Sequence, residues 1–461
     1  MKYIGHFMRI NVLTKENIKN QLFFFSKEAL HNAVMNSKCG ITIPSKEVRT
    51  KNISKNDINI FNSFSPLLCI YKKATCKLVN VDNSFVWNEE KFKREINISG
   101  NILMTLSLLE LSEYLNTFKG IDEKKYALSS FYLSLAKEQL DFYTSNFRNK
   151  DGVFVDKVDL SDNITKEFKF EENEKGFNLG DQAFIMAAFY KYHALSGSKP
   201  NDSYKTFALD ILAMFLEFKE ELYEAPFNQL SKLCLGIYLY YDYSKDIEAL
   251  KLLMDLLDFA EEKYQTTFSS LTEKNLADSC MFFINYFLLY KSTGLAKFKD
   301  SADKIAAKLI ELYDPENGVF LKVSDKKELT YYCDEIILYL TSLILFSQEN
   351  DEEEDIDSSI IDIYKNVILN SGIISSWPEV PVVDDAQRYK NFSKDEEDFL
   401  EDNNFRTESI ATPEASELAP IFIKSVVYNK KKNTFSQNKF SFDSTKNMFI
   451  YFIIISLFNK K

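Results

Sequence analysis

The chain has 461 residues, 45% of them hydrophobic and 27% charged, and a formal net charge of −12. That is the composition of a globular chain with a large core, not a disordered one. The acidic balance argues against nucleic-acid binding, which rests on phosphate neutralisation. With 12 Gly and 9 Pro against 40 Phe and 25 Tyr, turn-formers are too few for a sandwich or barrel of many short strands, so helices joined by polar loops are expected.

In chain order, helices with a polar face alternate with helices that are apolar nearly all round. The expected pairs are 15–38 with 99–118, 123–146 with 180–196, and 203–222 with 228–243. The remaining pairs are 246–264 with 273–293, 298–313 with 327–348, and 355–370 with 414–429. A polar-faced helix meets water on one side, whereas an all-round apolar one is buried between neighbours. Three connections, about 39–98, 147–179 and 371–413, exceed what a turn needs. The first reads as an inserted loop or subdomain, and 391–411 as an acidic, solvated or disordered loop within a single domain spanning 1–461. The run "MFIYFIIISLF" at 448–458 is too short to span a bilayer and reads as a buried terminal helix or strand. "YNKKKNTFSQNK" just before it reads as a solvated loop.

The start "MKYIGHFMRINVLTKENIKN" lacks an uninterrupted apolar run, so no signal peptide is expected. The six cysteines are scattered without a CxxC pair, which suggests a reducing, cytoplasmic setting. Three histidines (His6, His31, His193) without metal-ligand spacing make a metal site unexpected, and no cofactor-binding motif is present. Neither a nucleic acid nor a membrane is expected as a partner.

Two polar-faced helices end alike, in "NKDGVF" around Gly152 and "PENGVF" around Gly318. The glycine supplies a left-handed residue that ends the helix, and the phenylalanine leads an extended segment back over the core. A helical hairpin repeated six times closes naturally into an α/α toroid with the apolar helices inside; an open superhelical solenoid is the alternative. The hairpin repeat and its "DGVF"-type turns resemble the six-hairpin glycosidase-like superfamily. That resemblance implies an all-α toroid acting on carbohydrate through paired carboxylates, although no catalytic motif of a particular family is present.

In a toroid the inner helices open at one mouth, and here they open with acids: Asp181, Asp278, Asp334, and Glu414 with Glu417. The helix dipole alone favours acids there, but their convergence would also supply the acid and base of glycoside hydrolysis. Asp181 in "LGDQAF" is the expected general acid. In "SSWPEVPVVDDAQRYKNF", Asp384 or Asp385 is the candidate for water activation, with Trp377, Arg388 and Tyr389 beside it for substrate binding. Trp87, in the first long loop, is a second stacking platform for a sugar face. Lys72, Lys73 and Arg49 from the same loop are placed to receive an anionic group. A non-catalytic toroid or helical-repeat protein that binds a glycan, peptide or protein is the alternative function.

Overall fold

A computed structural model describes residues 13–459 except 49–62, 82–83, 162–166, 174–176, 198–201, 268–270, 273–274, 351–353, 391–401, 406–409, 413–416 and 438–439. Arg49, Glu414, His6 and most of the acidic 391–411 stretch therefore lie outside the described residues.

Of the described residues 60% are helical, and twelve helices build the frame. Six form an outer ring: α1 (Lys15–His31), α3 (Glu123–Asn146), α5 (Ser203–Glu217), α7 (Ile247–Thr267), α9 (Ala296–Ile310) and α11 (Glu354–Ile363). Each is followed by an inner partner: α2 (Ile98–Asn116), α4 (Leu179–Ser196), α6 (Phe227–Ser244), α8 (Leu276–Thr293), α10 (Cys333–Glu349) and α12 (Ser444–Phe458). Burial follows the sequence pattern. Outer α9 buries Phe298, Ala302, Ile305, Ala306 and Leu309, a stripe at steps of three and four, while inner α12 buries every residue from Asn447 to Ser456. The inner helices pack in the order α2, α4, α6, α8, α10, α12, and α12 returns to α2. The ring is closed, which excludes the open solenoid.

Five of the six expected inner helices fall where the periodicity puts them. The sixth does not. Residues 425–429 of the expected 414–429 helix form a strand, Ser425–Asn429, between Glu328–Tyr332 and Thr434–Gln437. The sixth inner helix is α12, at the terminal apolar run. Pro420 and the β-branched Ile421, Ile423, Val426 and Val427 favour an extended backbone over a helix. The basic Lys430–Lys432 run makes the tight turn between two of these strands. Residues 328–332, expected inside the fifth inner helix, are likewise strand.

Every described strand lies in an outer-to-inner connection, so these strands gather at the end of the ring where the inner helices begin. Ser441–Asp443 pairs with Lys73–Thr75, and Glu95–Ile96 pairs with Lys157–Asp159, tying neighbouring connections together. The two matching turns behave alike. Gly152 and Gly318 have φ of +83° and +62°, and Phe154 and Phe320 are buried beyond them. In each case the chain doubles back on the helix end it has just left, Phe154 opposite Arg148 and Phe320 opposite Tyr313.

A second device recurs at the helix starts. The fourth residue of α2, α4 and α12 is a buried amide, and each one bonds both backbone groups of a single extended residue. Asn101 accepts from Ile70 N (2.7 Å) and donates to Ile70 O (3.1 Å). Gln182 does the same with Phe154 (3.1 and 2.9 Å), and Asn447 with Phe422 (3.0 and 2.9 Å). Buried peptide groups need partners, and these clamps supply them while fixing the connections over the ring.

Candidate active site

A cavity of about 420 Å³ opens among the first turns of the inner helices. Its walls come from Asn97 and Ser99 (α2), Asn228, Ser231 and Lys232 (α6), Asp278 and Met281 (α8), Asp334 and Leu338 (α10), and Asp443, Lys446 and Phe449 (α12), with Lys72 from the first connection. The volume suits a small ligand. Among the described residues, Phe449 is the only aromatic ring in the lining.

Asp181 lies beside this cavity. Close approach of α4 and α6 sets its place: a Cβ on Gly236 would stand 2.5 Å from that of Ala183, and one on Gly180 would stand 2.7 Å from that of Lys232. Only glycine allows that contact, and it brings the Lys232 stem against the first turn of α4. The cap of α4 is Asn178, whose side chain accepts from Gly180 N and Asp181 N, so the Asp181 carboxyl is free of capping. It is 6% exposed, and its Oδ1 has no hydrogen-bond partner. Burial pushes its pKa up to about 6; the Asp156 charge adds to this, while Lys232 and Ser99 oppose it.

Asp278 holds the corresponding place on α8, the third helical residue in both cases. Burial raises it to about 6 as well, Lys232 opposing and Asp334 reinforcing the shift. Asp334 is gripped by Lys446, whose Nζ lies 2.6 Å from each carboxylate oxygen. Burial disfavours the Lys446 charge, but the Asp334 carboxylate outweighs it and the ammonium pKa is raised. The mouth thus combines two carboxyls that titrate near neutrality with one held in an ion pair. Among the described residues, no three His, Cys, Asp or Glu side chains are grouped to hold a metal.

The other residues singled out in the sequence are not brought to this cavity. Trp377 is 0% exposed, packed on Phe25, with its indole N–H donating to Phe405 O at 2.7 Å. Trp87 is buried against Phe442 and donates to Asn32 Oδ1. Asp385 pairs with Lys125 at 2.8 Å. Lys125 sits in the first turn of outer helix α3, at the opposite end of the ring from the mouth. Asp384 is exposed. Arg388 pairs with Asp402 at 2.7 Å, and the exposed Tyr389 donates to Val383 O. The described parts of the 371–413 connection lie along the outer wall, where Asn403 and Asn404 bond Gln21, Asn17 and Asn20 of α1. Sequence reading missed Lys232, Asp443 and Lys446. The last two would have followed from placing the sixth inner helix at 444–458, because "DSTKN" there matches "NISGN" and "NLGDQ" at the starts of α2 and α4.

By sequence, the chain matches no family model and no curated protein. By fold, it is similar to the crystal structure of a D-mannose isomerase, with a TM-score of 0.51 and 7% identity over 98% of this chain and 100% of that one. It is also similar to a cellobiose 2-epimerase from Bacillus thermoamylovorans, with a TM-score of 0.51 and 10% identity over 84% and 92% of the two chains. The chain shares their fold, an α/α toroid of six helical hairpins. An α-1,6-mannanase variant of Salegentibacter sp., solved with α-1,6-mannotriose, aligns over 96% of this toroid and 100% of its own chain, with a TM-score of 0.44 and 10% identity. Within the toroid, the described helices include none long and apolar enough to cross a membrane.

Proposed function

We propose that the protein is a carbohydrate-active enzyme, glycoside hydrolase-like, working at the mouth of the toroid. The observation that carries this reading is the Asp181 carboxyl, buried beside the cavity with one oxygen unpartnered and a pKa near 6. Such a group keeps a proton at mildly acidic pH and can give it to a leaving oxygen. Asp278 occupies the matching position two helices round the ring and is the second carboxyl, activating water or attacking the sugar carbon. Asp384 and Asp385, beside Lys125, take no part in this reading. Burial of both indoles removes the stacking platforms expected from the sequence, so the cavity fits one or two sugar units better than a long glycan.

A second reading is proton transfer at a sugar carbon, as in an isomerase or epimerase. It is favoured by the match between Asp181 and Asp278: two carboxyls in equivalent positions, both raised by burial, can take a proton and return one. One experiment separates the readings. The purified chain is incubated with mono- and oligosaccharides in D₂O, following both release of reducing ends and deuterium uptake at carbon. Hydrolysis gives the first signal alone and isomerisation the second. Asp181→Asn and Asp278→Asn should each lower turnover by about 10²-fold or more. Turnover unchanged in both variants would refute the assignment.

A further inference from the structure

The cavity holds three lysines, and two of them have carboxylate partners. Lys446 is bound to Asp334 at 2.6 Å, and Lys72 faces Glu95 at 3.5 Å. Lys232 makes no ion pair with any described residue. Its Nζ stands 5.9 Å from the ring centre of Phe449, another cavity residue. Lys232 acts on Asp181 and Asp278 electrostatically without bonding to either, so its ammonium still has room for a direct counter-ion. Neutral donors stand around it. Ser99 is buried and lines the same cavity, its hydroxyl turned toward Asp181 without a close hydrogen bond. Asn228, one turn before Lys232 on α6, contributes an amide to the same wall. Lys232 and Ser99 both act on Asp181, so the cation and the hydroxyl flank the proposed acid from two different helices.

We propose that the sugar taken by this cavity carries an oxyanion, either a ring carboxylate or a phosphate ester, that pairs with Lys232 and accepts a hydrogen bond from Ser99. The proposal rests on the carbohydrate reading above and names the substrate class within it. Charge-assisted bonds of this kind are about twice as strong as neutral ones. A neutral sugar would leave Lys232 without a direct ion pair. Lys232 and Ser99 are then binding groups, and their position beside Asp181 would bring the charged end of the substrate next to the acid.

The test is calorimetric titration of the full chain with a hexuronic acid, a hexose 6-phosphate and the neutral parent hexose, using wild type, Lys232→Met and Lys232→Arg. At least one acidic sugar should bind wild type tenfold or more tighter than the neutral parent, and which one does so distinguishes carboxylate from phosphate. Lys232→Met should abolish the preference and Lys232→Arg should keep most of it, with unfolding midpoints showing that both variants fold. Equal binding of neutral and acidic sugars overturns the proposal, as does a preference that survives Lys232→Met. Turnover of neutral sugars alone would sink this inference and leave the enzyme reading standing. Lys232-dependent binding of an acidic sugar with no turnover would do the reverse.

Discussion

Asn447 offers a direct test of how the connections are held over the ring. Its side chain is fully buried and fully used. Oδ1 accepts from Phe422 N at 3.0 Å and Tyr451 Oη at 2.9 Å, and Nδ2 donates to Phe422 O at 2.9 Å and Asp443 O at 3.1 Å. Asn447→Leu keeps the volume but strands the N–H and C=O of Phe422, itself 0% exposed, together with the Tyr451 hydroxyl. A buried polar group left unpaired costs about 1–3 kcal/mol. Three such groups sharing one neighbourhood do not add fully, so the expected loss is about 3–5 kcal/mol. Urea unfolding followed by far-ultraviolet circular dichroism should show the midpoint falling with the slope unchanged. Gln182→Leu, which strands only the two backbone groups of Phe154, should cost less. A loss below about 1 kcal/mol for Asn447→Leu would mean that water replaces the clamp and that the connection is not held by it.

Two further outcomes follow from the turns and the mouth. Phe154→Ala and Phe320→Ala should each cost roughly 3–5 kcal/mol. Phe320 should stand at the upper end, because it stacks on Tyr339 at 4.1 Å between centroids; denaturant melts unchanged within about 0.5 kcal/mol would make both turns surface decoration. Asp181 has a folded-state pKa of about 6 against an ordinary 3.8. Between those values the folded chain holds a proton that the unfolded chain has released, so its contribution falls as pH rises through that window and the full cost is carried above it. Asp181→Asn should therefore be more stable than wild type at pH 8, by on the order of 1–3 kcal/mol, and gain nothing at pH 4. Melts at the two pH values showing the variant less stable at pH 8 would refute the pKa assignment.

How far the sequence shows the fold depends on whether a residue's role is local. Helix α3 lies at Glu123–Asn146, the expected 123–146, because Asp122 caps it and the Gly152 turn follows its last residues. The sixth inner helix was hidden because two apolar segments, 414–429 and 448–458, competed for one place. Hydrophobicity could not separate them, but Pro420 and the β-branched residues around it could. At the mouth, Asp181, Asp278 and Asp334 were legible because an acid in a first turn is a local feature and closure of the ring then brings the turns together. The course of the 371–413 connection was not. Nothing in "SSWPEVPVVDDAQRYKNF" says whether it crosses the mouth or descends the outer wall, since that is decided by distant partners, Lys125 and the first turns of α1.

The helix starts also explain why structure and chemistry meet at one end of the toroid. The fourth residue of three inner helices is an amide that clamps a connection, and the residue before it is Gly100, Asp181 or Lys446. A clamp at the fourth position fixes the backbone on which the third-position side chain stands. Asp181 therefore has a rigid base in Gln182, whose two bonds hold Phe154 beneath its turn. Lys446 has the same base in Asn447, and with Asp334 it forms the paired wall of the cavity. Loosening a clamp should cost stability and also disturb the neighbouring charge. That predicts a link between the Gln182 and Asn447 positions and ligand binding that no lining residue would reveal by itself.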